Sequence, residues 1–426
     1  MGDEAALGRM RERLAARVIS TTGIRGEAIA AALRDVPRHL FLPQLAPESA
    51  YRDDAIVTKR DAGGLPVSSS SQPAIMAIML DQLALAPGLR VLEIGAGTGY
   101  NAALMQHIVG PSGAVVSVDI DAGLAALAGD HLRSAGYPDV TVVAADGAEG
   151  YPPAAPYDRV IATVGVSDLA APWLDQTGPG GRIVVPFDVR GTQLSVAFER
   201  AGDGHWASMS LVPCGFMRMR GSLAGPERTV WAQPGLSVML PDGLTLADGK
   251  DVDAEALAAQ LAGPSVELAT GVRAGAGPVI WGLGLWLAAG DLRSCTVAEE
   301  RPARSRAVVR LQHAPVRRRG LRMTAGILDS GGIAMLTSAA PAGSPGSEAG
   351  KSPSPPTLAV TGFGPHAPEL AAGLAAQVRA WDQAGQPGVA GLRVDAWPRS
   401  PAAPPVPGRG GLVIERPSMK FAVYHA

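Results

Sequence analysis

An apolar run that ends in three glycines and opens a helix is the most constraining feature of this chain. Residues 90–101 read RVLEIGAGTGYN, so the run leads through Gly95, Gly97 and Gly99 into a helical segment. Glycines at such a turn let backbone amides approach a nucleotide-like ligand closely, and the N-terminus of the next helix favours negative charge. The segment therefore predicts a strand, a turn and a helix with a ligand at the turn.

Similar apolar runs follow at AVVSVD, VTVVAAD, YDRVIATV and GRIVVPF, with helical segments between them. Continuous apolar runs are typical of strands that are buried on both faces, as in a parallel sheet covered by helices. After Gly191, LSVAFER and HWASMSLVP flank the turn AGDG, which indicates an antiparallel hairpin at the sheet edge. We therefore expect an α/β fold, preceded by two helices over residues 5–45.

Two aspartates follow the predicted strands at positions suited to ligand binding. Asp119 ends the first run after the glycine turn, and Asp146 ends the next one. A carboxylate at Asp119 can bind ribose hydroxyls, but either aspartate can instead cap the helix that follows its strand. Glu93 lies within a buried apolar strand, where a carboxylate needs a polar partner.

A serine run, Ser68–Ser71, precedes Gln72 and Pro73. It is compatible with a flexible linker, or with a helix N-cap ahead of a proline whose fixed φ suits a first helical turn. Hydroxyls and helix-end amides are also good donors to a ligand carboxylate. The spacing alone leaves these interpretations open.

Composition excludes several classes of protein. The net charge of −2 creates no general attraction for nucleic acid or an anionic membrane. Two distant cysteines argue against a disulfide scaffold, and the seven scattered histidines form no HxH or HxxxH pattern, so we expect no metal. The charged N-terminus does not resemble a signal peptide, and no apolar run has the ~20 residues of a membrane helix. The prediction is a cytoplasmic protein without nucleic-acid or membrane partners.

From about Ala31 to Gly221 the chain resembles the protein-L-isoaspartate O-methyltransferases, a family of S-adenosylmethionine-dependent methyltransferases. The similar segments occur in one order: ALRDVPRHLF, AYRDD, SSSSQP, VLEIGAGTGY, SVD, ADG, PYDRVIATV, GGRIVVPF and LVPCGFMRMRG. The resemblance implies a Rossmann-like methyltransferase fold with a mostly parallel seven-stranded sheet over residues 1–221. Residues 1–66 would contribute N-terminal helices and an acceptor loop.

The resemblance also implies roles for individual residues. Ser71 aligns with the family's active-site serine, which contacts the carboxylate that is methylated, and Ser70 and Asp53 would lie beside it. S-adenosyl-L-methionine, which becomes S-adenosyl-L-homocysteine, would be bound by Ser69, Glu93, Gly95, Gly97, Gly99, Asp119, Asp146, Gly147 and Thr163. A carboxylate acceptor is already a nucleophile at neutral pH, so no general base is expected.

The chain differs from the family's repair enzymes in two places. The segment between Asp53 and Ser71 is longer than the family's usual loop, and about half of the chain follows Gly221. Residues 222–426 are expected to form a second, largely β domain for peptide recognition, with one helix whose apolar stripe includes Leu370 and Trp381. Segments near 340–356 and 399–411 have the composition of disordered chain. Eight arginines between 301 and 322 are compatible with a solvated face or a dock for an acidic peptide.

This architecture is similar to that of actinobacterial aspartate O-methyltransferases of FxLD systems and of lasso peptide, graspetide and lanthipeptide pathways. That resemblance implies a modified precursor peptide as the partner, with methylation of an Asp side chain leading to aspartimide and isoaspartate. Two alternatives stay open: general repair of isoaspartyl proteins, and a non-catalytic protein that binds the cofactor. The sequence leaves the oligomeric state undetermined.

Overall fold

The computed structural model describes residues 2–62, 66–225, 228–241, 244, 246, 251–290, 293–300, 311, 316–318, 321–338, 355–399 and 411–425. The N-terminal part contains α1 (Gly2–Thr22), α2 (Glu27–Asp35), α3 (Pro47–Ala50), β1 (Ile56–Arg60), β2 (Pro66–Ser70) and α4 (Pro73–Leu83). Helices α1 and α2 confirm the two predicted N-terminal helices. The segment expected to be a loop is instead an antiparallel hairpin, because Ile56 pairs with Ser70 and Val57 with Ser69.

The central part of the chain forms the predicted α/β sheet. Its elements are β3 (Arg90–Ile94), α5 (Tyr100–Val109), β4 (Ala114–Asp119), α6 (Ala122–Ser134), β5 (Thr141–Ala144), β6 (Tyr157–Ala162), α7 (Ala171–Gln176), β7 (Thr177–Val189), β8 (Thr192–Arg200) and β9 (Trp206–Pro213). The pairs β3-β4, β4-β5, β3-β6 and β6-β7 are parallel, and β8 and β9 continue the sheet antiparallel. These seven strands confirm the predicted mostly parallel arrangement and the hairpin.

Both faces of this sheet are buried, which explains the continuous apolar runs. Val91 and Val115 pack on one face with Leu80 and Leu104 of the flanking helices. Leu92 packs on the opposite face, in a separate apolar cluster. The carboxyl ends of the parallel strands are consequently the part of the sheet that is free to bind a ligand.

A second sheet follows in the chain and is mainly antiparallel. Its elements are β10 (Arg228–Gln233), β11 (Leu236–Leu240), α8 (Ala254–Ala262), β12 (Ser265–Arg273), α9 (Gly284–Gly290), β13 (Ser294–Glu300), β14 (Val316–Arg318), β15 (Leu321–Asp329), β16 (Gly332–Ser338), β17 (Thr357–Phe363) and α10 (Ala367–Gln383). A π-helical turn, Pro278–Leu283, leads into α9. Helix α10 buries Leu370, Leu374, Val378 and Trp381 against this sheet, which confirms the predicted apolar stripe. We call this part, residues 228–383, the accessory region.

The last three strands differ from the prediction of one accessory domain over 222–426. Strands β18 (Leu392–Pro398), β19 (Leu412–Glu415) and β20 (Met419–His425) extend the first sheet to ten strands, because β18 pairs with β9 through Ala396 and Trp206. The ring centroids of Phe187 and Phe421 lie 4.3 Å apart. The hairpin β8-β9 is therefore inside the sheet, and the prediction that it forms an edge is wrong.

Several predicted features lie outside the described residues. These are almost all of the segments 340–356 and 399–411 and most of the arginine-rich stretch 301–322. Cys214 and Cys295 are both buried thiols. In the part of the chain that the structure describes, no helix combines the length and apolar character needed to cross a membrane.

Candidate active site

A cavity of about 690 Å³ lies at the carboxyl ends of strands β3, β4 and β6. Eight of the twelve predicted site residues line it: Ser69, Ser70, Ser71, Gly95, Gly97, Asp119, Gly147 and Thr163. The other four, Asp53, Glu93, Gly99 and Asp146, lie behind this wall. The structure thus separates residues that can touch a ligand from residues that hold the wall in place. None of the described residues forms a cluster of three or more side chains suited to a metal ion.

The glycine turn between β3 and α5 is shaped by backbone angles that favour glycine. Gly95 has φ 102° and Gly97 has φ 54°. A Cβ at Gly95 would lie 2.6 Å from Thr163 Oγ1, and this hydroxyl donates a 2.6 Å hydrogen bond to the Gly95 carbonyl. Thr163 therefore fixes the turn from the end of β6 and also lines the cavity.

Two other glycines allow close packing. A Cβ at Gly99 would lie 3.1 Å from the Ala128 carbonyl oxygen, so this glycine brings α5 close to α6 and does not face the cavity. A Cβ at Gly147 would lie 2.5 Å from Ile94 Cγ2. Gly147 therefore lets the turn after β5 pack against the end of β3.

Asp119 binds the glycine turn through its side chain. Its Oδ2 accepts the Gly97 N–H at 3.0 Å and its Oδ1 accepts the Asp121 N–H at 3.0 Å. Helix α6 is capped instead by Asp121, which accepts the amides of Gly123 and Leu124. The capping interpretation of Asp119 is therefore wrong, and each Asp119 oxygen retains lone-pair capacity toward the cavity.

Asp146 does act as a cap. It accepts the amide of Ala148, in the short helical turn Gly147–Glu149, and the amide of Ser222 at 2.8 Å. Burial alone would raise the pKa of Asp146, but these two amides outweigh it and the pKa is lowered. Asp146 therefore anchors the segment after β9 to the sheet as an ionised carboxylate.

Glu93 lies fully buried beneath the glycine turn. It accepts hydrogen bonds from Ser117 Oγ at 2.5 Å and Asn101 Nδ2 at 2.8 Å, which supply the polar partners expected from the sequence. Burial raises the pKa of Glu93 to about 7, against the opposing effect of these hydrogen bonds. Glu93 thus ties β3, β4 and α5 together below the cavity.

Three residues of the serine run, Ser68–Ser70, belong to strand β2, and Ser71 directly follows it, so the run is neither a linker nor a helix cap. Helix α4 begins at Pro73, and its N-cap residue is Gln72. Strand β2 lies beside the glycine turn, because a Cβ at Gly97 would be 3.5 Å from the Ser69 carbonyl oxygen. Ser70 is 3% exposed, lines the cavity, and has no hydrogen-bond partner for its hydroxyl among the described residues.

Asp53 and Arg38 hold the serine run in position. Asp53 accepts the Ala74 amide at 2.9 Å and Gln72 Nε2 at 3.1 Å, so it binds the start of α4 and does not line the cavity. Arg38, which the sequence analysis missed, donates to the Ser71 carbonyl at 3.1 Å and to the Ala50 carbonyl at 2.9 Å. A fully buried arginine has no simple periodic signature in sequence, since its role depends on backbone carbonyls from two other segments.

The accessory region forms the far wall of the same cavity. Met239 of β11, Trp281 of the π-helical turn and Met323 of β15 line it together with the serine run. These residues could not be assigned to the site from the sequence, because their proximity to Ser71 arises only when the two sheets pack together. The cavity is therefore built from both halves of the chain.

The first half of the chain is similar in sequence to known proteins. The family model for protein-L-isoaspartate (D-aspartate) O-methyltransferase matches residues 9–223. Protein-L-isoaspartate O-methyltransferase of Hyperthermus butylicus is 37% identical over 53% of this chain and 94% of its own length. The Methanopyrus kandleri protein of the same name is 37% identical over 51% of this chain and 95% of its own. A solved structure titled protein-L-isoaspartate O-methyltransferase is 23% identical, with a TM-score of 0.48, over 90% of this chain and 96% of that one.

The matched residues include the glycine turn, Asp119 and the serine run, and the sheet has the Rossmann-like order of strands that the resemblance implied. The chain therefore belongs to the protein-L-isoaspartate (D-aspartate) O-methyltransferase family, whose cofactor is S-adenosyl-L-methionine.

Proposed function

We propose that this protein methylates the side-chain carboxylate of an Asp residue in a conformationally constrained peptide. One observation carries the proposal: the cavity continues from Asp119 and the serine run to a wall supplied by the accessory region. An acceptor must therefore fit between two sheets, which favours a dedicated peptide over any exposed damaged site. The partner would be a modified precursor peptide of the lasso peptide, graspetide or lanthipeptide kind.

The described residues suit the cofactor. We assign Asp119 to the ribose hydroxyls, and the turn at Gly95 and Gly97 to the close approach of the backbone, since both glycines line the cavity at positive φ. When bound, S-adenosyl-L-methionine supplies an electrophilic methyl group and leaves as S-adenosyl-L-homocysteine. Ser69 and Thr163 border the same part of the cavity.

The acceptor needs orientation rather than activation. An aspartyl carboxylate has an ordinary pKa near ~4, so it is ionised and nucleophilic at neutral pH. We assign the hydroxyls of Ser70 and Ser71 to this carboxylate, because the buried Ser70 hydroxyl has no partner among the described residues and such groups are costly to leave unpaired. Positioning of the carboxylate oxygen and exclusion of water then provide the catalysis.

The methyl ester prepares a further reaction within the peptide itself. The backbone nitrogen that follows the esterified Asp attacks the ester carbonyl, and methoxide leaves with the amide proton as methanol. The product is an aspartimide, which hydrolyses to aspartate or isoaspartate. This sequence needs only the enzyme's methyl transfer.

The experiment compares peptides that share one sequence and differ in constraint. The purified protein and S-adenosyl-L-methionine are incubated with the Asp peptide in linear and macrocyclic forms, and products are followed by mass spectrometry. The proposal predicts a gain of one methyl group and then loss of methanol on the macrocycle only. Equal methylation of both forms would remove the case for a constrained acceptor.

The variant Ser71→Ala tests whether the serine hydroxyl orients the acceptor carboxylate. Loss of one hydrogen bond to a charged group corresponds to roughly 10- to 100-fold slower transfer. Affinity for S-adenosyl-L-homocysteine, measured by calorimetry, should stay within about twofold, which is less than ~0.5 kcal/mol. Equal loss of transfer and cofactor affinity would mean that Ser71 only maintains the fold.

Repair of isoaspartyl proteins is the second candidate function. It is favoured by the names of the relatives, which are all protein-L-isoaspartate O-methyltransferases where this chain matches most of their length. Fast methylation of short linear isoaspartyl peptides, with no transfer to Asp macrocycles, would support repair.

A further inference from the structure

The far wall of the cavity has a chemistry of its own. None of the described cavity-lining residues of the accessory region is ionisable, and most are apolar. Arg218 and Asp188 line the cavity from the catalytic half, so charge lies on only one side. The wall that faces the serine run thus offers burial of apolar surface, with no charged group to pair with an acidic or basic side chain.

We propose that Met239, Ile280, Trp281 and Met323 form a specificity subsite for one aromatic or long aliphatic side chain of the acceptor peptide. This inference rests on the proposed function, since it places the subsite in the cavity that takes the acceptor carboxylate. The occupant is a residue near the methylated one, because both parts of the cavity are continuous. It would determine which carboxylate of a peptide is presented to Ser71.

The π-helical turn holds the central side chains of this subsite in place. Val279 and Leu283 are buried anchors at either end of the turn. A Cβ at Gly282 would lie 2.7 Å from the Pro387 carbonyl oxygen, so the turn packs directly on the segment after α10. Single π-helical turns often occur at functional sites, because they displace side chains from the regular helical path. Ile280 and Trp281 are accordingly left half-buried on the cavity wall.

The two methionines give the subsite its adaptability. Met239 and Met323 are half-buried on β11 and β15 and line the cavity from the second sheet. Unbranched thioether side chains repack around irregular apolar groups and contact aromatic rings favourably. The subsite should therefore accept Phe, Trp or Leu and discriminate against Ala and Glu.

The test uses synthetic head-to-tail cyclic peptides with one Asp and with Ala, Leu, Phe or Glu at each neighbouring position. Binding is measured by fluorescence anisotropy with saturating S-adenosyl-L-homocysteine, and methyl transfer is measured separately. At one neighbouring position, Phe and Leu should bind about 10- to 100-fold more tightly than Ala, with Glu weakest. Equal affinities at every position would overturn the subsite.

Variants connect the preference to these residues. Trp281→Ala should reduce the preference for Phe over Ala to about threefold or less. Trp231→Ala is the control, because Trp231 is 39% exposed on β10 and does not line the cavity. If Trp281→Ala fails to fold, Met323→Ala tests the same wall. An undiminished preference in a folded subsite variant would refute the assignment.

The outcome also separates the subsite from the proposed function. Apolar preference that depends on Trp281, without methyl transfer to any Asp peptide, would support the subsite and contradict Asp methylation. Methyl transfer without any preference for the neighbouring residue would support Asp methylation and contradict the subsite.

Discussion

At the scale of single residues, the Asp119 carboxylate that we propose for the ribose hydroxyls also holds the glycine turn in place. Each of its oxygens accepts one backbone amide, from Gly97 or from Asp121, and still has capacity for another donor. The position of this proposed ribose-binding carboxylate is therefore coupled to the shape of the glycine turn. A substitution at Asp119 should therefore affect both the glycine turn and cofactor binding.

Asp119→Asn tests this coupling. One of the two oxygens becomes an NH₂ group, which cannot accept a backbone N–H, so a buried donor loses its partner. Affinity for S-adenosyl-L-homocysteine should fall by about 10- to 100-fold, measured by titration calorimetry. Asp130→Asn, at an exposed position on α6, is the control. Unchanged affinity in Asp119→Asn would show that this carboxylate does not bind the cofactor.

The raised pKa of Glu93 should make the stability of the ligand-free protein depend on pH. Its pKa is about 7 in the folded state because of burial, above the ordinary value of 4.5. The folded state therefore binds the extra proton between these values, and its contribution to stability is full below pH 4.5 and lost as pH rises through 7. The corresponding free energy is about 3 kcal/mol at most.

Glu93→Gln should remove that dependence, because glutamine does not ionise. The measurement is urea unfolding of both proteins at a series of pH values from about 4 to about 8. This interval includes both the ordinary pKa of a glutamate and the raised pKa of Glu93. The difference in unfolding free energy between variant and wild type should increase toward neutral pH. A constant difference would mean that Glu93 does not titrate in this range.

At the scale of elements, the start of α4 determines where the serine hydroxyls lie. The site was partly predictable here, because the motif around Ser71 is local in sequence. The strand conformation of this segment was not predictable. Strand β2 exists only through its pairing with β1, and a run of serines has no strand propensity of its own. Asp53 was also expected among the catalytic residues, whereas its contacts are with Gln72 and Ala74.

Asp53→Ala and Asp53→Asn distinguish a positioning role from a catalytic one. Alanine removes the acceptor for the Ala74 amide, so thermal unfolding should show a loss of about 1–2 kcal/mol together with slower methyl transfer. Asparagine keeps an acceptor oxygen and should retain most of both. If asparagine were as damaging to transfer as alanine while stability was preserved, the charge of Asp53 would act in the reaction.

At the scale of the whole molecule, the chain leaves the first sheet after β9 and returns to it at β18. Apolar runs predicted many of the strands, but not the sheet to which each strand belongs. The contact between Ala396 and Trp206 joins positions far apart in the chain, and no periodicity in either segment encodes that pairing. Trp281 and Met323 were not predicted as site residues for the same reason, because their place in the site depends on long-range packing. Helix α10 was predictable because its apolar stripe is local in sequence.

A chain that ends at residue 391 should be strongly destabilised. It would lack Phe421, Val423 and Val394, which belong to the same buried cluster as Phe187. Scanning calorimetry should show a melting temperature lower by about 10 °C or more, if the protein remains soluble. The truncated chain should also bind the cofactor poorly. A chain in which residues 1–223 are joined by a long flexible linker to residues 386–425 restores the missing strands, and it should bind the cofactor again. Equal melting temperatures for the truncated and full chains would refute this account of the sheet.

The return of the chain to its first sheet also bears on how the protein is made. About 180 residues separate the end of β9 from the start of β18. At about 5–20 residues per second, a ribosome needs roughly ten to forty seconds to synthesise that interval. Throughout this time the edge of β9 has no neighbour, and an exposed strand edge is a template for aggregation. The nascent protein should therefore depend on chaperones most while its accessory region is being translated.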